Sequence, residues 1–239
     1  MAKLRSVIGS GFVGRIGNVV GVRGKGGEYV IRARAEEVKN PNTLRQRVSR
    51  QRMTVASQMA AGLASAIQAG YGKAAGNTKM YPRNMFVRNL VKCTPTTPLH
   101  VEGGIAEIQY ADIKLSQRYG ISTTPNVSAV SFDTAGKVTF TVQPTAVVDN
   151  LPEGKMGLVI VIYEPDGQSC VVKMVNAPID AAATVDMNYP SSMSGLTVHC
   201  YSFFKWIPES ANDVLTDTEP WKYPAETGDS AYCGSGNLG

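Results

Sequence analysis

Histidine and cysteine are scarce in this sequence, two and four among 239 residues. That scarcity removes most ways of building a catalytic or metal centre. His199 is followed by Cys200 in a stretch that reads as a strand, where neighbours point to opposite faces, so the pair cannot share a metal directly. A zinc site would have to gather His100, His199, Cys170 and Cys233 from separate strands without any usual ligand spacing. Cys93, Cys170, Cys200 and Cys233 contain no C-x-x-C pair and are too sparse for a disulfide framework. They read as reduced thiols of a protein made in a cytosol. Long apolar runs are missing too, and none approaches the roughly 18 residues of a membrane span. Met1-Ala2-Lys3-Leu4-Arg5 has the charges of a signal peptide. Gly9, Gly11, Arg15 and Gly17 interrupt any apolar region behind it, so no cleaved leader is expected.

The front of the chain is nearly devoid of acid. Residues 1–92 carry 17 Lys and Arg against 3 Glu, a net +14, whereas residues 93–239 carry 7 basic against 16 acidic side chains, a net −9. Two modules with different surroundings follow from this split. The basic half should be drawn to nucleic acid or to an acidic protein face, which a neighbouring copy of the chain itself offers.

Glycine, in contrast, is plentiful near the start. Gly9, Gly11 and Gly14 spell G-x-G-x-x-G, the fingerprint of a dinucleotide-binding turn, which requires a strand before it and a helix after it. The required helix would hold Gly17 and Gly21 in its interior, each at a cost of roughly 1 kcal/mol. Val13, Ile16, Val19 and Val20 favour extended backbone. The stretch reads instead as a glycine-hinged arm or hairpin over residues 1–40. Its strands run Ile16–Arg23 and Glu28–Arg34 about a turn at Gly24-Lys25-Gly26-Gly27.

Asn40-Pro41-Asn42-Thr43 opens a helix. Leu44, Val48, Val55, Met59, Leu63 and Ile67 then recur at helical spacing, and Gly70 and Gly72 supply an exit. Arg45, Arg47, Arg50 and Arg52 crowd the first turns without any acid. Cations there oppose the helix dipole, which favours a negative partner over a merely solvated face. They lie on both flanks of the Leu44–Val48–Val55 stripe. A shorter helix over Thr78 to Lys92 completes a helical segment at residues 41–92. Residues 93–104, with two prolines among threonines, read as a linker.

From residue 105 the period changes to two. Val127–Asp133, Lys137–Gln143, Gly157–Glu164, Cys170–Val175, Thr184–Met187 and Leu196–Trp206 read as strands of an antiparallel sandwich of immunoglobulin-like type over residues 105–239. Leu158 to Tyr163 is apolar throughout and should be covered on both faces. The tail after Trp221 reads as loose. Asp149, Glu153, Asp166, Asp213, Asp217 and Glu219 fall in predicted loops and lack the alternation of a calcium loop. Trp206, Trp221, Tyr201, Phe203 and Phe204 could line a sugar or peptide site, although aromatics on such a strand are more often core.

Several motifs run in a fixed order: Gly11 to Val20 (G-x-x-G-x-I-G-N-V-V), Tyr29-Val30-Ile31-Arg32, and Asn40-Pro41-Asn42-Thr43-Leu44-Arg45-Gln46. The strands from Gly136 to Thr141 and from Val198 to Phe204 follow, and Asp229 to Gly234 closes the chain. In this order they resemble an uncharacterised domain-of-unknown-function family of Bacteroidota and their phages. This sequence has Asn42 where many members carry arginine, and its stretch Ala211–Trp221 is longer than usual. The resemblance implies an architecture and carries no activity.

The expectation is an α+β protein: an extended glycine-rich arm or hairpin and helices, followed by the sandwich. Its function is expected to be structural and non-enzymatic, in a phage virion at a tail, connector or capsid surface, assembled in the bacterial host cytoplasm. Arg23, Lys25, Arg32, Arg34, Arg45, Arg47, Arg50 and Arg52 would bind further copies of the chain or other virion proteins. The alternative is a nucleic-acid-binding accessory protein using the same residues on phosphates. No cofactor, metal, small-molecule substrate or catalytic residue is expected.

Overall fold

The computed structural model describes residues 2–4, 13–23, 27, 29–34, 42–78, 80–92, 99–102, 105–134, 136–145, 154–178, 181–208 and 226–239. Gly9, Gly11, Lys25 and its neighbouring glycines, Asn40-Pro41, Cys93, Asp149, Glu153 and the stretch 211–221 lie outside them. The chain divides into two compact units, Met1–Arg47 and Val48–Gly239.

The N-terminal unit is a four-stranded antiparallel sheet of β1 (Ala2–Leu4), β2 (Gly14–Ile16), β3 (Val19–Arg23) and β4 (Tyr29–Ala33), in the order β1-β4-β3-β2. The expected hairpin is the β3–β4 pair, with Arg23 opposite Tyr29. The single strand expected over Ile16–Arg23 is instead broken at Gly17-Asn18. Ile16 faces Val19 across this two-residue turn. Gly17 takes φ +56 there, a left-handed conformation that glycine adopts without strain. Gly14 lies in a strand, and a second strand follows it where a dinucleotide fold would place a helix.

The C-terminal unit is layered. A seven-stranded sandwich is formed by β7 (Val127–Thr134), β8 (Lys137–Val142), β9 (Gly154–Glu164), β10 (Ser169–Asn176), β11 (Ala183–Asn188), β12 (Thr197–Pro208) and β13 (Ala231–Asn237). Its sheets have the orders β11-β8-β7 and β10-β9-β12-β13. Counted along the chain, the first, second and fifth strands share one sheet and the other four share the second. This is an immunoglobulin-like division with the fourth strand on the larger sheet. Phe140 and Val142 from one sheet meet Leu158, Ile160, Cys200 and Phe204 from the other in the core between them. The alternate residues, Val159, Val161, Tyr163, Tyr201 and Phe203, face the other way and pack under the helices. β9 is therefore covered on both faces, as its unbroken apolar run requires. A separate hairpin joins β5 (Leu99–Glu102) to β6 (Ile105–Ile108), so strand occupies part of the stretch read as linker.

Three helices form the outer layer: α1 (Leu44–Gly62), α2 (Ala64–Gly76) and α3 (Pro82–Val91). Helical hydrogen bonding continues through Leu63, whose amide donates to the Met59 carbonyl and whose carbonyl accepts from Ile67. Gly70 and Gly72 do not end the helix, which continues to Gly76. The reason lies in the tertiary packing: the chain at Leu115 and Ser116 crosses so close to Gly70 that a Cβ there would collide with the Leu115 carbonyl. Gly62 plays the same part against the backbone of Gln168 in the β9–β10 turn. That turn is organised by Glu164, which is buried and accepts from the amides of Asp166 at 2.5 Å and Gly167 at 2.7 Å. The tail is also more ordered than its composition implied. β13 pairs with β12, and Gly236 leaves room for the ring of Phe132.

Candidate functional site

Strand register decides which cations of the N-terminal sheet act together. Arg15, Val20 and Arg32 occupy one cross-strand row, and Val22 stands opposite Val30 in the next. Alternation places Arg34 on the same face as Arg32, and its amide donates to the Asn18 carbonyl at 2.7 Å. This face therefore holds Arg15, Arg32 and Arg34 around a valine patch. The opposite face carries Ile16, Val19, Tyr29, Ile31 and the paired Gly14 and Gly21. Arg23 belongs to that second face, with its guanidinium 5.9 Å from the centre of the Tyr29 ring. Of the expected group, Arg32 and Arg34 are thus brought together and Arg23 is turned away. Arg15, which the sequence reading did not select, joins them. Lys25 lies outside the described residues.

Helix α1 begins with a reciprocal cap. The Thr43 amide donates to Gln46 Oε1 at 3.3 Å and the Gln46 amide to Thr43 Oγ1 at 3.4 Å. The T-x-x-Q of the sequence is therefore a capping box. Asn42 just before it has φ +48, a left-handed conformation that asparagine adopts more readily than arginine. The Leu44–Val48–Val55 stripe does not set the buried face. Leu44 is 69% exposed, and burial begins at Ala56 and continues through Met59 and Ala60. Arg52 precedes Ala56 by four residues, so it lies toward the core and is half-buried, whereas Arg45, Arg47 and Arg50 are exposed. Arg50, Met53 and Ser57 share a side of α1 by their spacing of three and four.

Helix α3 meets that side. Arg83 donates to the Ser57 hydroxyl at 2.6 Å and to the Ser57 carbonyl at 3.1 Å. Next to this contact lies a groove of about 350 Å3 lined by Met53, Asn84, Val87, Arg88, Val91 and Lys92. Met53 is 50% exposed. Arg88 donates to the Met80 sulfur at 3.3 Å, and neither Arg88 nor Lys92 forms an ion pair among the described residues. No acidic residue occurs anywhere in residues 38–101. Sequence reasoning missed Arg83, Arg88, Lys92 and the groove. The uninterrupted lack of acid was the available signal.

Other titratable groups are built into the body. His199 stacks on Tyr110 with ring centres 3.7 Å apart, its Nδ1 is 3.1 Å from the Tyr232 hydroxyl, and burial lowers its pKa. Cys200 points into the sandwich core, on the face opposite His199. Burial pushes the thiols of Cys170 and Cys233 up to about 11, which keeps them protonated at neutral pH. Tyr201, Phe203 and Phe204 are fully buried core residues. Trp206 packs at the edge of the same core and Trp221 lies outside the described residues. Lys205 is buried under α2 with its Nζ 3.4 Å from the Ala69 carbonyl, and burial pushes its pKa down to about 8. Among the described residues no three His, Cys, Asp or Glu side chains come together as metal ligands would. No helix among them is long and apolar enough to cross a membrane.

Residues 11–215 match the model of a family of unknown function, DUF6266. The chain belongs to this family. The match spans β2 to β12 and so includes both units, the capping box and the groove. No curated protein and no solved structure matches the chain.

Proposed function

We propose that the chain is a non-enzymatic assembly protein whose basic half engages an acidic protein face. One observation carries this reading. Among its described residues the N-terminal sheet has pairing strands but almost no interior: Gly21 is buried, while Ile16 is 66% and Val22 45% exposed. A sheet needs an apolar face packed on something to be stable, and a neighbouring subunit would supply that layer. The acid-free helices add a charge preference to the same half of the chain. In its specific form the reading is a phage virion component at a tail, connector or capsid surface. That form rests on the motif resemblance alone, which implies a family shared by Bacteroidota and their phages. A nucleic-acid-binding role is the second reading, favoured by the gathering of Arg15, Arg32 and Arg34 on one face of the sheet.

Arg47→Glu with Arg50→Glu separates the two. Both side chains are exposed, so the sandwich should keep its stability. On the assembly reading, sedimentation shows oligomers of the wild type and loss of them in the double variant. On the nucleic-acid reading, oligomers persist, and the slope of log affinity for DNA against log salt falls by about one unit per lost phosphate contact.

A further inference from the structure

The groove between α1 and α3 has the chemistry of a peptide site. Its floor is apolar, from Met53, Val87 and Val91, and Arg88 and Lys92 stand at its rim without a carboxylate partner among the described residues. Arg50 lies one turn before Met53 on the same side of α1. From Asn84 to Lys92 the α3 wall runs about 12 Å. A fitting occupant would present an aliphatic side chain flanked on the same face by carboxylates.

The chain carries such a sequence. Residues 209–219, outside the described residues, read Glu-Ser-Ala-Asn-Asp-Val-Leu-Thr-Asp-Thr-Glu, with four carboxylates and no base. Val214 and Leu215 lie between Asp213 and Asp217, and an extended chain covers those four steps in about 13 Å. That length covers the α3 wall, of which Arg88 and Lys92 occupy the C-terminal half, about 6 Å apart. We propose that the groove is a docking site for residues 209–219 of a second copy of this chain, with Leu215 on the Met53–Val87–Val91 floor and Asp213 and Asp217, which extended backbone puts on the same face as Leu215, toward the Arg88–Lys92 rim. The proposal rests on the assembly reading and names the contact that would make it.

The test uses the full-length protein and a fluorescent peptide of residues 209–219, followed by anisotropy. The wild type should bind it, and added salt should weaken the binding because exposed charges are screened. Arg88→Glu with Lys92→Glu should weaken binding by about tenfold or more, as should Met53→Glu. These side chains are exposed, so unchanged melting temperatures identify the variants as folded. A scrambled peptide of the same composition, or one with Val214 and Leu215 replaced by serine, should bind at least about tenfold more weakly. Equal binding of the scrambled peptide, or full binding by the groove variants, overturns the proposal. Sedimentation of the same variants over a concentration range then reads the copy number. Loss of association in the groove variants supports a second copy as donor. Persistent association in them, with loss only in Arg47→Glu with Arg50→Glu, overturns the groove and leaves the assembly reading standing. A wild type that stays monomeric at every concentration overturns both.

Discussion

Strands β3 and β9 are both rich in valine, both lie inside a four-stranded antiparallel sheet, and both have their backbones paired on either side. Yet Leu158 to Ile162 of β9 are fully buried, while Val22 of β3 keeps nearly half its surface in solvent. Pairing within a sheet satisfies amides and carbonyls but hides few side chains; burial comes from the layers above and below. β9 has helices over one face and β7, β8 and β11 over the other. The same residue type thus stabilises one unit by about 1.5–3 kcal/mol per side chain and the other by much less.

The sharpest way to break this comparison is to truncate one side chain in each unit. Phe203→Ala should lower the unfolding free energy of the body by about 3–5 kcal/mol, because it empties a fully enclosed site under the helices. Val22→Ala should cost less than about 1 kcal/mol, as expected for a half-exposed position. Denaturant titration of monomeric protein compares them directly, and equal losses would erase the distinction.

A second effect of order 3 kcal/mol depends on pH. Lys205 sits under α2 with its pKa lowered from 10.5 to about 8 by burial. Between these values the unfolded chain holds the proton and the folded chain does not, so this residue's contribution to stability rises with pH across that window. The penalty is full below pH 8. Lys205→Met should therefore be more stable than wild type at pH 7, by an amount on the order of 3 kcal/mol that shrinks toward pH 10. Taking the difference between the two proteins cancels the tyrosines and cysteines that titrate alkaline in both. A pH-independent difference would mean that the ammonium stays charged in the folded state.

The smallest effect belongs at the start of α1. Thr43→Ala removes one half of the capping box and should cost about 1 kcal/mol of local helix stability. Because no residue from Leu44 to Val55 is buried, the loss should appear as faster amide exchange at Gln46 and Arg47 with little change in the midpoint of the body. A shift of the whole transition would show that the first turns of α1 are tied into the core after all.

Much of the sandwich was readable because a half-buried strand writes its geometry into alternation. All six strands expected between residues 127 and 206 are present within a few residues of their expected ends. The Gly17-Asn18 turn was readable as well, since Gly-Asn between β-branched runs is a hairpin signal. Its signal is diluted by Gly14 and Gly21 on either side, which read equally as hinges. β13 was not readable: Ala-Tyr-Cys-Gly-Ser-Gly-Asn has strand geometry because β12 offers it an edge and Phe132 fills the space a side chain at Gly236 would need. The continuation of α2 through Gly70 likewise depends on a crossing segment more than 40 residues away. Which arginines share a face depends on strand register in the N-terminal sheet and on the buried side of α1. The groove needs two helices side by side, and neither helix announces it alone.

The two-sided burial of β9 raises a problem of alignment. A strand with one wet face carries an in–out code, and a slip of one residue would expose its apolar side chains and bury its polar ones. From Leu158 to Ile162 β9 has no such code, since every side chain is greasy and either face would accept it. The information must sit at the end of the strand. Glu164 supplies it: its carboxylate has a buried place only where the amides of Asp166 and Gly167 can reach it. Because those amides belong to the turn that follows, it is the β9–β10 pairing that the carboxylate fixes: a slip of that hairpin would rebuild the turn and leave a buried charge without its donors, at a cost far above that of a misplaced valine. A single acidic side chain thus acts as the index mark against which the most apolar strand of the molecule is set.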